Sequence, residues 1–145
     1  MKTIIVLFVT LTFGTMFAQN NNVPKVVKAK FKVLYPKAED VKWDKENKFF
    51  EADFDLNDVE MSILIDAKGK VHEIETSLED KELPKAVLKN LAKDFPGYEL
   101  NEAAKIERNG KTTFEAEIEK GEKKYDAIYS VSGKLLKKNV TNEKD

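Results

Sequence analysis

The chain contains no cysteine and a single histidine, His72. Without cysteine there is no disulfide, no thiolate nucleophile and no thiolate metal site. A zinc site draws on several nitrogen or sulfur ligands, which one histidine cannot supply. Ser-His-Asp catalysis would have to be assembled around His72 with Ser62, Ser77, Ser130 or Ser132, and none of these serines sits in a nucleophile-elbow pattern. Glycine is scarce, with 6 in 145 residues, and no Gly-rich phosphate loop occurs. No charge of one sign dominates either. Lys and Arg number 25 against 26 Asp and Glu, interspersed along the chain. A nucleic-acid partner calls for a clustered basic face, so that class is set aside.

Long apolar runs are also lacking, except at the start. Lys2 gives a positive beginning, and Ile4 to Phe17 is apolar apart from Thr10, Thr12, Gly14 and Thr15. A membrane-spanning helix needs about 20 apolar residues, which this run does not reach. Ala18 then offers a small residue ahead of polar Gln19-Asn20-Asn21-Asn22. The pattern predicts a secretory signal peptide over 1–18, cleaved near Ala18. The absence of a cysteine at that junction excludes a lipid-anchored lipoprotein. A periplasmic or secreted protein with no stable membrane anchor is expected. Residues 19–145 have the length of one ordinary domain, which can bury a core without staples.

That remainder repeats itself. Val23-Pro24-Lys25-Val26-Val27 matches Leu83-Pro84-Lys85-Ala86-Val87, and Tyr35-Pro36 matches Phe95-Pro96. Further on, Phe50-Glu51-Ala52-Asp53-Phe54 matches Phe114-Glu115-Ala116-Glu117-Ile118, and Gly69-Lys70-Val71 matches Gly133-Lys134-Leu135. Ordered agreement that includes prolines and turn glycines points to duplication. The copies run from about 23 to 78 and from about 83 to 140.

Each copy reads as one helix followed by about four strands. Val27, Phe31 and Leu34 recur at helical spacing, as do Val87, Leu91 and Phe95. Pro24 and Pro84 suit a first helical turn, where the missing N–H costs nothing. Pro36 and Pro96 stop the helices, because a residue before proline is pushed out of the helical region. The period then changes to two. Phe50, Ala52, Phe54 and Leu56 alternate with acids, then Val59, Met61, Ile63 and Ile65 alternate again. Asp66-Ala67-Lys68-Gly69, Asn109-Gly110, Lys120-Gly121 and Ser132-Gly133 supply hairpin connections. Phe114, Ala116 and Ile118, then Tyr125, Ala127 and Tyr129, line the second core face. The acidic stretch Ser77 to Glu82 links the copies, and the tail from Asn139 reads as frayed. The expected class is α+β: two tandem helix–four-strand antiparallel repeats in one domain, a two-layer sheet with helices on one face.

Chemistry is harder to find. Asp53-Phe54-Asp55-Leu56-Asn57-Asp58 imitates the opening of a calcium loop, but Asp58 and Leu64 hold the positions where glycine and glutamate are required. These acids fit the outer face of a strand running into a turn. Paired carboxylates would serve a glycosidase, yet in an acid-rich chain such pairs arise by coincidence. His72 reads as an exposed or half-buried strand residue. One feature stands out: strand parity places Phe49, Leu64 and Ile128 among Glu51, Asp53, Asp55, Glu60, Glu115, Glu117 and Asp126 on the side opposite the core. An apolar patch rimmed by charge is the form of a protein- or peptide-binding surface; a solvated sheet face with a few stray apolar residues has the same pattern.

The unit Leu83-Pro84-Lys85-Ala86-Val87, Phe95-Pro96-Gly97, Phe114-Glu115-Ala116-Glu117 and Tyr125 to Lys134 resembles the PepSY-like, beta-lactamase-inhibitor-like domains of exported bacterial proteins. The first copy, from Val23-Pro24 to Gly69-Lys70, is similar to it as well. The resemblance implies tandem helix and four-stranded units, no enzymatic activity, no cofactor and no catalytic residues. It also implies binding or restraint of other envelope proteins, hydrolases among them. The reading is therefore a non-catalytic module docking a protein or peptide of the cell envelope through Phe49, Glu51, Asp53, Leu64, Glu115, Glu117, Asp126 and Ile128. A carrier or sensor of a small apolar or cationic ligand is the alternative, and a hydrolase the third.

Overall fold

The computed structural model describes residues 22–141; the expected signal peptide lies outside them. The order of elements is α1 (Lys25–Leu34), β1 (Glu39–Glu46), β2 (Phe49–Leu56), β3 (Val59–Asp66), β4 (Val71–Leu78), α2 (Lys85–Asp94), β5 (Glu99–Arg108), β6 (Lys111–Lys120), β7 (Lys123–Ser130) and β8 (Leu135–Thr141). The eight strands follow chain order in an antiparallel sheet. The chain divides into two compact units at Ile74–Glu75, inside β4.

The first unit begins with proline. Pro24 stands just before the helix at φ −57° and ψ 145°, one residue earlier than its sequence suggested. Its missing N–H is not needed there, while its carbonyl accepts from the N–H groups of Val27 and Lys28 at 3.0 and 3.1 Å. At the other end Pro36 holds Tyr35 outside the helical region, at φ −128°. One face of α1 packs Val27 and Phe31 against Phe50, Ala52 and Phe54 of β2 and Ile63 and Ile65 of β3. Each of these valine, isoleucine and phenylalanine side chains, fully buried, contributes about 1.5–3 kcal/mol. Leu34 departs from the expected helical stripe and is 41% exposed. Tyr35 takes its place, with its ring 4.6 Å from that of Phe54, because the chain leaves the helix there and turns the next side chain inward.

The hairpin between β2 and β3 closes through Asn57 and Asp58, at φ 53° and 63°. Two left-handed residues in a two-residue loop match the twist of the flanking strands. The pseudo-calcium stretch is thus the end of β2 and its turn. After β3, Asp66 Oδ1 accepts from the N–H groups of Lys68 and Lys70 at 2.9 and 3.0 Å, shaping the turn at Gly69.

The second unit repeats these solutions. Pro84 precedes α2 at φ −54° and its carbonyl accepts from Val87 and Leu88, and Phe95, before Pro96, leaves the helix at φ −130°. Val87 and Leu91 of α2 pack with Leu83, Phe95, Phe114, Ala116, Ile118, Ala127 and Tyr129. Ser130 stands where Asp66 stood: its Oγ accepts from the N–H of Lys134 at 3.1 Å. Two sequence expectations change here. Asn139, Val140 and Thr141 are not frayed but belong to β8, since the ladder to β7 continues as far as Lys124 opposite Thr141. The acidic link is ordered too, as a single 3-10 turn, Asp80–Glu82, closed by the Glu79 N–H donating to Glu82 Oε2 at 2.7 Å.

Candidate functional site

On β2 the side chains of Phe50, Ala52 and Phe54 face the core, so Phe49, Glu51 and Asp53 face away from it. Register sets their neighbours. Glu51 lies opposite Asp44 on β1 and Leu64 on β3, while Asp53 lies opposite Lys42 and Ser62. Phe49 lies opposite Glu46 and Asp66, and its ring centroid is 4.8 Å from that of His72. The sequence-derived grouping of Phe49, Glu51, Asp53 and Leu64 is therefore one contiguous patch.

The patch is not a solvated face, however. Glu51 is only 6% exposed. It occupies a strand flanked by a paired strand on each side, and side chains on directly opposed positions stand about 5 Å apart. Burial, followed by the neighbouring carboxylates of Asp53, Glu46, Asp44 and Glu73, lifts its pKa from 4.5 to about 7. Asp53 is raised as well, by burial and then Asp44, with Lys42 opposing. Its Oδ1 is buried without a hydrogen-bond partner. A carboxylate is normally buried only when paired, so Glu51 and Asp53 are costly where they stand.

The matching positions of the second unit form a patch of their own. Glu115 lies opposite Ala104 and Ile128, and Glu117 opposite Glu102 and Asp126. Asp126 is 4% exposed, again because strands flank it on both sides, β6 and β8. Burial raises its pKa, and the neighbouring Thr141 side chain opposes the rise, although the Thr141 Oγ1 is itself buried without a hydrogen-bond partner. The sequence placed both acids on the non-core side, yet as solvated rim; the correction is to their burial.

His72 does structural work. Its Nε2 is 2.9 Å from Asp66 Oδ2, and that hydrogen bond, followed by the one from the Lys70 N–H, holds Asp66 down at about 2. Of the serines weighed as its partners, Ser130 and Ser132 contact each other, Oγ to Oγ at 2.9 Å. Among the described residues no group of three or more His, Cys, Asp or Glu is arranged to hold a metal ion, and no helix is long and apolar enough to cross a membrane. Sequence reading missed Asp44, Glu46 and Glu73. Their only signal was their acidity, which in this chain is no signal.

Comparison with known proteins follows the duplication. The family described as putative beta-lactamase-inhibitor-like, PepSY-like matches the chain twice, over residues 16–73 and again over 66–137. Among solved structures, a BLIP-like protein from Bacteroides fragilis is 27% identical, with a TM-score of 0.72 over 84% of this chain and 89% of that one. A protein of Bacteroides eggerthii described as a putative periplasmic protein is 19% identical, with a TM-score of 0.78 over 81% and 88%. Among curated proteins, none matches the chain.

Proposed function

The chain belongs to the beta-lactamase-inhibitor-like, PepSY-like family, and from that premise we propose that it is an exported, non-catalytic module that docks a protein or peptide partner of the cell envelope on the strand faces its helices leave free. In this two-layer reading each helix covers one side of its own unit's strands, and the partner meets the other side: Phe49, Glu51, Asp53 and Leu64 in the first unit, Glu115, Glu117, Asp126 and Ile128 in the second.

The observation that carries this reading is the makeup of the first patch. Phe49 and Leu64 are half-buried apolar side chains set beside Glu51 and Asp53, carboxylates whose pKa values burial raises. Covering a large apolar side chain in an interface gains about 1.5–3 kcal/mol, and truncating one partner of a desolvated charge pair costs comparable or larger amounts. The B. eggerthii relative and the apolar start of the chain support a periplasmic location. The name of the B. fragilis relative supports restraint of a hydrolase as the consequence of docking.

The test is capture from the envelope fraction by the mature protein and by a variant carrying Phe49→Ser, Leu64→Ser and Ile128→Ser. Loss of a captured protein with the circular dichroism spectrum unchanged supports the reading. A folded variant that retains every partner overturns it, and an unfolded one reassigns these residues to the core.

A further inference from the structure

We infer that the outer face of α1 rests on a membrane surface rich in anionic lipid, its lysines meeting headgroup phosphates and its exposed valines lying between them. This face and the docking face proposed above lie on opposite sides of the first unit's strands, and neither reading depends on the other.

Helix α1 buries Val27 and Phe31 against β2 and β3, and at 3.6 residues per turn that aims Val26, Ala29 and Val33 away from the strands. Val26 is 48% and Val33 78% exposed, with Ala29 exposed between them, so the three form an apolar ridge roughly 10 Å long. Lys25, Lys28 and Lys32 border the ridge on one side and Lys30 on the other, all exposed. The ten residues of the helix, KVVKAKFKVL, include four lysines and no acid. The turn at Gly69 packs beside it, since a Cβ on Gly69 would stand 3.2 Å from Cγ2 of Val26 and 3.9 Å from Cβ of Lys30. That turn adds exposed Lys68 and Lys70, while its acid, Asp66, is engaged by the N–H groups of both and by His72. The duplication supplies a second, independent observation. At the positions of Lys28, Lys30 and Lys32 the matching helix α2 has Leu88, Asn90 and Ala92, of which Leu88 packs on the core and Asn90 donates to the Gly133 carbonyl. At the positions of Val26, Ala29 and Val33 it has Ala86, Lys89 and Lys93. The fold therefore forms without the lysine-framed ridge that α1 carries.

An anionic bilayer fits this face better than an acidic protein does. The ridge is convex, not a groove, so it suits a soft surface that closes around it. The cations framing it are all lysine, whose ammonium meets phosphate as a point charge, whereas the bidentate fork that reads a protein carboxylate belongs to arginine. Lysine stems can also lie along the valines with their charges outward. Two valines bury little area, so the attraction is mainly electrostatic, reversible and screened by salt.

The test sediments the mature chain with vesicles of phosphatidylcholine containing about one third phosphatidylglycerol, and with vesicles of pure phosphatidylcholine. It should bind the first and not the second, and come off as salt rises from about 0.05 to about 0.5 M. Inorganic phosphate at matched ionic strength should not release it. Lys28→Gln with Lys32→Gln should weaken binding about tenfold or more, since each lysine near such a surface contributes about fivefold. Lys89→Gln with Lys93→Gln in α2 should weaken it less than about threefold. Val33→Ser, at a position too exposed to unfold the helix, should cost about threefold or more. The variant with Phe49→Ser, Leu64→Ser and Ile128→Ser should bind vesicles as the parent does, which keeps the two readings separable. Because the chain has no cysteine, Val33→Cys takes a single nitrobenzoxadiazole label, whose emission should shift to the blue on anionic vesicles. The same label on Glu60→Cys, on the other side of the strands, should not shift. Absence of binding, equal losses from the two lysine pairs, or an unshifted label at position 33 overturns the inference. So does release by phosphate, or a label at position 33 that responds to a hexaglutamate peptide and not to vesicles, which would assign the face to an acidic protein.

Discussion

Asp44 and Glu51 stand directly opposed across the β1–β2 ladder, two like charges with Glu51 almost wholly out of water. Opposed like charges destabilise a strand pair, and burial adds to that cost.

The pH dependence of stability should report it. The pKa of Glu51 is raised in the folded state, from 4.5 to about 7, so the folded chain holds this proton more tightly than the unfolded one. The associated stability is fully present below about 4.5 and is lost as pH rises through 7. Glu51→Gln removes the dependence. Its urea midpoint should match the parent's near pH 4.5 and exceed it at pH 8, by on the order of 1 to 2 kcal/mol in unfolding free energy once screening by water is allowed for. A variant less stable than the parent at pH 8 would show that the carboxylate is paired. Asp126→Asn should shift stability in the same direction, because burial raises the pKa of Asp126 as well.

A different pair joins helix to turn in the second unit. Asn90 of α2 donates from Nδ2 to the carbonyl of Gly133 at 2.7 Å, and a Cβ on Gly133 would come within 2.5 Å of the Ala86 carbonyl oxygen. Gly133 also has φ +81°, so Gly133→Ala meets both backbone strain and a clash with main chain. A loss of about 2–4 kcal/mol is expected. At the matching Gly69 the nearest atom is Cγ2 of Val26, 3.2 Å away, a side chain that can yield. Gly69→Ala should cost about 1–2 kcal/mol. Thermal melts of the two variants give the ranking, and equal losses would refute it.

Export should remove residues 1–18. The apolar run ending at Phe17 and the polar change at Gln19 predict an N-terminus at Gln19 in protein from the envelope fraction. Edman sequencing that returns Met1 from the cytoplasm would refute this.

The two copies should melt as one cooperative domain. The division between the compact units falls inside β4, Val71–Leu78, so a cut between the copies cannot follow both the repeat and the unit. A piece of about 60 residues is also marginal for stability by itself. Fragments Gln19 to Ser77 and Asp80 to Asp145 should give weak circular dichroism and no sharp melt. Two fragments that each unfold cooperatively would disprove the single domain.

Sequence by itself determined the helices, the core strands and the duplication, because each rests on a local rule. Proline dictates φ at its own position and restricts the residue before it, so Pro24, Pro36, Pro84 and Pro96 bracket α1 and α2. Alternation with period two assigns Phe50, Ala52 and Phe54 to the core without knowledge of their partners. What escaped was non-local. β1, with the sequence EDVKWDKE, has no apolar alternation and is a strand by virtue of its pairing with β2. Leu34 kept the helical period yet lost its place to Tyr35, whose inward turn depends on how α1 meets β2. Above all, parity shows which side of a strand an acid occupies but not how much water reaches it. Glu51 and Asp126 have the parity of surface residues, and only the strands on either side of each, with Glu73 arriving at Glu51 from β4, decided that two carboxylates would be buried. Burial is a property of neighbours in space, and those neighbours are set by register and folding rather than by adjacent residues.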